Sequence, residues 1–241
     1  MYNTTEDILQ AIDIGFVVAV FLLNTGRALK AIDVCKECLI FLCNTVVKME
    51  GEMFTLLDVS VYETIFQVIC LMPDHTEALI CGRKLLDIYC QCGKKEEEGN
   101  LTTLLANIYR QNYRYLEAME VYKKVINITK EMGNRTNEAY ANETIGSMSY
   151  HLGDHEKAYK YIKKALAIKI NIGDKKGEAS SYENLGTTVF KSRGEYDKPK
   201  EYLEKALAIR IQIGDKEGDR RSQLERKLRK CVYISWSILQ S

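Results

Sequence analysis

The phrase "KKALAIKINIGDKKGEA" at residues 163–179 returns almost unchanged as "EKALAIRIQIGDKEGDR" at 204–220. A recurring phrase constrains a chain more than any single motif, because a fixed period means one structural unit stacked on copies of itself. Weaker copies lie upstream. "YKKVINITKEMGNRTNEA" aligns Ile126 and Gly133 with Leu166 and Gly173, and "GRKLLDIYCQCGKKEEEG" aligns Leu86 and Gly93. Anchored on one small residue, the units fall at Ala31, Ala78, Ala118, Ala158 and Pro199, with spacings of 47, 40, 40 and 41 residues. Ala19, Phe66, Ala106 and Gly146 stand twelve residues before the first four anchors, and Gly186 stands thirteen before the last.

Each unit reads as two amphipathic helices. In "EAYANETIGSMSYHL" Ala141, Ile145 and Met148 form one stripe; in "HEKAYKYIKKALAIKINIG" the stripe is Ala158, Ile162, Ala165, Leu166 and Ile170. The small anchors let the two helices approach closely. Only two prolines in 241 residues agree with an all-α chain, since proline removes a helix donor and clashes inside a helix. Pro199 is expected to start the last second helix.

The placement of Gly146 or Gly186 in the first helix and of Ala158, Ile162 and Ala165 in the second resembles the tetratricopeptide repeat. The 40-residue period and the "IGD…GEA" ending resemble the leucine-glycine-asparagine-repeat G-protein-signalling modulators and kinesin light chains, the common repeat being about 34 residues. The resemblance covers about 96–218 well, 53–93 moderately and the preceding residues weakly. It implies a right-handed superhelical solenoid of about five antiparallel helix pairs. The boundaries expected are a divergent helix pair at 1–52, a divergent unit at 53–93, three regular units at 94–216 and a capping helix at 217–241. That cap would be locally basic through Arg220, Arg221, Arg226, Lys227, Arg229 and Lys230, with Trp236 plugging the end of the core.

Composition removes several function classes. Lysine plus arginine number 34 against 33 acidic residues, a net charge of +1 that gives no bulk attraction to nucleic acid or acidic membranes. The apolar run "IGFVVAVFLL" at 14–23 is too short to cross a bilayer, and "MYNTTEDILQ" has no basic start of a signal peptide. The eight cysteines fall mostly within helical patterns and are read as reduced thiols of a cytoplasmic protein; disulfides at Cys35, Cys38, Cys90 or Cys92 would contradict that reading.

Catalytic, cofactor and metal chemistry is not expected. "GDKKGE" at 173–178 lacks the spacing and the Gly-Lys-Ser/Thr ending of a phosphate loop. It is helix punctuation: Gly173 and Gly214 end one helix in the left-handed conformation, while Asp174 and Asp215 cap the next. Cys35-x-x-Cys38 and Cys90-x-Cys92 have no second pair or histidine at zinc-site spacing. The histidines are His75, His151 and His155, without a serine elbow or a paired-carboxylate context.

The resemblance implies that first helices line a concave groove for a peptide segment of a partner. The positions carried over are Thr103, Asn107 and Arg110 in the third unit, Tyr140, Glu143, Thr144 and Ser147 in the fourth, and Ser180, Glu183, Asn184 and Thr187 in the fifth. Asn184 holds the place where the family often hydrogen-bonds a peptide backbone; Thr144 and Leu104 replace it upstream. Glu143 and Glu183 suggest a neutral or basic segment, with Arg110 the one central cation. The expected activity is a non-catalytic protein-interaction adaptor without small-molecule substrate. A regulatory module docking through its divergent N-terminal units, and RNA binding through the basic C-terminal helix, stand as alternatives.

Overall fold

The structure is a computed structural model that describes residues 76–193 and 197–214 continuously, with scattered residues between 10 and 37, residue 66, residues 223–227 and residue 229. The chain divides into two compact units, Met1–Ile108 and Tyr109–Ser241. All seven continuously described elements are helices: α1 Thr76–Gln91, α2 Lys95–Gln111, α3 Tyr115–Glu131, α4 Arg135–His151, α5 His155–Ile172, α6 Lys175–Arg193 and α7 Asp197–Gln212.

The turns follow from single residues. Gly173 ends α5 at φ 74°, and the N–H of Asp174 reaches back to the Lys169 carbonyl at 3.0 Å. Asp174 then accepts the N–H of Gly177 at 2.8 Å, capping α6. Asn134 and Asp154 cap α4 and α5 in the same way. One turn breaks the rule: Tyr113, 80% exposed, takes φ 58° where the other described turns use glycine, and Arg114 makes no side-chain cap. Asp215 lies outside the described residues.

In the second unit α3 packs on α4, α4 on α5, α5 on α6 and α6 on α7, giving stacked antiparallel hairpins. The anchors Ala118 and Ala158 are fully buried, and Ala165 and Ala206 join them. Gly146 is required by that closeness, because a Cβ there would lie 2.6 Å from the Ile162 Cγ1 and 3.3 Å from the Ala158 carbonyl. Gly186 meets Leu203 and the Pro199 carbonyl in the same way at 3.0–3.2 Å. Ala158, Ile162, Leu166 and Leu185 form one core cluster ringed by Tyr150, Tyr159, Tyr182 and Tyr202. Leu203, Ala206 and Leu224 form the next, so helical residue Leu224 packs on the middle of α7.

Two sequence expectations shift. Pro199 is the third residue of α7 rather than its start, still within the first turn where helix N–H groups lack intrahelical partners. Ile170, expected on the α5 stripe, is 47% exposed, and Lys169 takes the inward place. In the first unit Ala19, Ala31 and Ala78 are fully buried, and Gly82 faces Leu105 and Phe66 where a Cβ would clash. Cys81, Cys90 and Cys92 are free thiols; Cys35, Cys38 and Trp236 lie outside the described residues.

Candidate functional site

Polar side chains of α4, α5 and α6 form a hydrogen-bonded network across three consecutive helices. Glu143 of α4 accepts at Oε2 from the Lys169 ammonium of α5 at 2.5 Å. Its Oε1 accepts from Ser181 Oγ at 3.3 Å and Asn184 Nδ2 at 3.2 Å, both of α6. Lys169, whose side chain is 7% exposed, also donates to Ser181 Oγ at 3.2 Å. A buried ammonium needs a charge partner and further acceptors, and this arrangement supplies both.

The next unit repeats the device. Glu183 of α6 accepts from Arg210 Nη2 of α7 at 3.1 Å and from Lys227 Nζ at 2.8 Å. The Arg210 side chain is 4% exposed. Forty residues upstream of Glu143 and Lys169, the equivalent places hold Thr103 and Thr129, so the two partners change together along the chain. Thr103 and Thr129 instead donate to backbone carbonyls of their own helices, at Gly99 and Val125.

Glu143 and Asn184 therefore sit in one network and Glu183 in a second, one unit on, while Ser147 and Thr187 join Asn184 around a small recess. Other predicted positions lie apart from those networks. Thr144 donates to the Tyr140 carbonyl at 2.9 Å and Ser180 to the Lys176 carbonyl at 3.1 Å. Tyr140 packs edge-on against Tyr122 at 6.3 Å, and Arg110 hydrogen-bonds the Tyr122 phenol. Burial, then the neighbouring Tyr140, pushes that phenol well above its ordinary value of 10.0. Thr103 and Asn107 belong to the first unit, where Asn107 is half-buried.

Two corrections follow for the charge pattern. Glu143 and Glu183 are not open carboxylates, since each is neutralised from within the chain. Arg110 is not the one cation of this region, because Lys169, Arg210 and Lys227 reach the two carboxylates. Lys169, Arg210 and Ser181 were missed in the sequence, and Lys227 was read only as part of a basic cap. For Lys169 and Arg210 the signal was there: one basic residue inside each apolar phrase "ALAIKI" and "ALAIRI", at the register that faces the core.

Among the described residues no group of histidine, cysteine and carboxylate side chains is arranged to hold a metal ion, and no helix is long and apolar enough to cross a membrane. Stacked helical hairpins with buried alanine anchors and glycine close contacts define an all-α repeat protein. Residues 102–132 and 137–212 match tetratricopeptide-repeat family models. Over those residues the chain carries tetratricopeptide repeats.

No curated protein matches it by sequence. Among solved structures, a signal-transduction ATPase with a tetratricopeptide repeat sensor from Pyrococcus horikoshii is 16% identical with a TM-score of 0.63, over 97% of this chain. The match spans 38% of that protein's length. BtubC (BKLC) from P. vanneervenii is 20% identical at 0.63, over 93% of this chain and 84% of its own. Kinesin-light-chain tetratricopeptide-like repeats from Podosopora anserina are 14% identical at 0.55, over 84% and 96%. Such likenesses establish the shared fold.

Proposed function

We propose that this chain is a non-catalytic interaction scaffold that binds an extended segment of a partner protein along the α4–α6 face. The observation that carries the reading is the locked row Lys169–Glu143–Asn184. It spans three helices and holds an exposed amide beside a recess before any ligand arrives. Preorganised polar groups on rigid helices lower the ordering cost of binding, which is what a peptide-receiving surface needs. Arg110, Tyr140, Thr144 and Ser180 of the same unit are assigned to this function as flanking contacts, and Thr103 and Asn107 are kept as peptide contacts of the first unit.

The internal pairing of Glu143 and Glu183 removes the reason to favour a basic segment and leaves the neutral one. The RNA alternative draws on the basic C-terminal residues, of which Lys227 is engaged by Glu183 and Arg229 faces Glu225 at 3.9 Å. That engagement favours the protein partner.

The test is capture of partner proteins on the immobilised full chain, compared with the Asn184→Ala and Ser147→Ala variants. Proteins bound by the parent and lost from both variants are expected. An identical bound set on all three would refute the assignment, and retention of RNA that falls steeply with salt would replace it with the RNA reading.

A further inference from the structure

The recess on the α4–α6 face is lined by Ser147 and Tyr150 of α4, Ile162 of α5, and Asn184, Thr187 and Thr188 of α6, and measures ≈ 60 Å³. We propose that it is the specificity pocket of this face, taking a short uncharged hydrogen-bond donor of the bound segment: a serine or threonine hydroxyl or an asparagine amide. The inference rests on the peptide-binding reading above and narrows it to one side-chain class.

The hydrogen-bond ledger decides the chemistry. Thr187 Oγ1 donates its proton to the Glu183 carbonyl at 2.9 Å, and Thr188 Oγ1 donates to the Asn184 carbonyl at 2.7 Å. A hydroxyl has one proton and two lone pairs, so both threonines have only acceptor capacity left. Asn184 turns Nδ2 toward Glu143, and an ionised carboxylate accepts only, so the amide cannot be reversed. Its Oδ1 is left as a further acceptor. The recess is thus rich in lone pairs, with the Ser147 hydroxyl able to turn either way.

Charge and size narrow the occupant further. The adjacent carboxylate is already neutralised by Lys169, so nothing there rewards an ammonium, while a carboxylate would be set against oxygen lone pairs. The volume matches about two waters at roughly 30 Å³ each, enough for a side chain of a few heavy atoms and too little for an aromatic ring. Ile162 and the Tyr150 ring supply apolar wall. One unit upstream, Thr144 and Met148 replace Asn184 and Thr188, so the polar recess marks one place along the array and can fix the register of a bound segment.

The experiment is selection of random twelve-residue peptides on the full chain, followed by affinity measurement by fluorescence anisotropy. Selected peptides are expected to share serine, threonine or asparagine at one position. Replacing that residue by alanine should weaken binding about fivefold, the scale of one hydrogen bond, and by less than twofold on the Thr187→Val/Thr188→Val variant. Aspartate there should cost more than about tenfold. Because Thr188 is buried, Thr187→Val alone, with helicity checked by circular dichroism, is the companion variant, and it too should shrink the alanine effect. Tolerance of aspartate, or an alanine effect undiminished on both variants, overturns the pocket assignment; the face reading then survives if Asn184→Ala still releases the peptide. Selected peptides all indifferent to Asn184→Ala overturn both.

Discussion

The pairing of Glu143 with Lys169 makes a quantitative demand on stability. Glu143→Thr leaves an ammonium whose side chain is 7% exposed with Ser181 Oγ as its remaining observed acceptor. Breaking a buried pair from one side costs about 3–5 kcal/mol. Glu143 itself is 23% exposed, so water reaches part of the site and the lower end, about 3 kcal/mol, applies. Lys169→Thr is milder. The carboxylate keeps Ser181 and Asn184 as donors and gains water, and the loss is about 1.5 kcal/mol, the worth of one charged hydrogen bond.

The double replacement installs the Thr/Thr pair that the chain already uses at 103 and 129. With both charges gone nothing is left uncompensated, and about 1 kcal/mol of lost packing and hydrogen bonding remains. The cycle should therefore show a coupling of about 3.5 kcal/mol, with the double variant more stable than Glu143→Thr alone. Urea unfolding with constant slope measures it. On melting, each kcal/mol corresponds to about 2–4 °C for a chain of this size. Additive single effects, with coupling below about 0.5 kcal/mol, would refute the argument, because they would mean that the two charges do not depend on each other.

Other consequences are simpler to read. Gly146→Ala should destabilise by about 1–3 kcal/mol through overpacking against Ile162, and Gly186→Ala by less because its nearest contact is 3.0 Å rather than 2.6 Å; thermal melts rank the two. Tyr113→Gly should raise stability by about 1 kcal/mol by relieving a left-handed backbone that side chains disfavour, and a lower melting temperature would contradict this. Asp174→Ala should cost about 1 kcal/mol as the α6 cap is lost, seen as a lowered urea midpoint. At alkaline pH the Tyr122 phenol, raised mainly by burial, and Tyr202, pushed up to about 12 by burial and then by its hydrogen bond to Tyr159, should ionise after exposed tyrosines. Their folded values exceed the unfolded one, so this stability is complete below pH 10 and lost as pH rises through the folded values. Tyrosinate absorbance followed alongside circular dichroism tests the order.

The turns, anchors and close glycines were legible because each obeys a local rule. A glycine followed by aspartate or asparagine punctuates helices whatever lies beyond them, and an alanine every 40 residues needs only the period to be recognised. The charge row was not legible by those rules, since its partners lie 26 and 27 residues apart on different helices. Amphipathic reading sends lysine outward and isoleucine inward, which put Ile170 on the α5 stripe. Helical spacing from Ala158 through Ile162 and Leu166 leads instead to 169, and that residue is buried in spite of its charge. Position on the helix outweighed residue type, and the cost of burying the ammonium is offset by Glu143 and Ser181.

That resolution also separates architecture from recognition within the same row. Glu143 faces both ways: Lys169 holds one oxygen to fix α5 against α4, while Asn184 and Ser181 hold the other to fix α6. A substitution at Glu143 would therefore change stability and ligand binding together. Thr187 donates within its own helix and takes no part in the charge row, so its hydroxyl can be removed with the hairpin stack intact. If the face binds peptide as proposed, Thr187→Val should alter affinity at unchanged stability, whereas Glu143→Thr should alter both. That divergence distinguishes a recognition surface from a polar seam that serves only to join repeats.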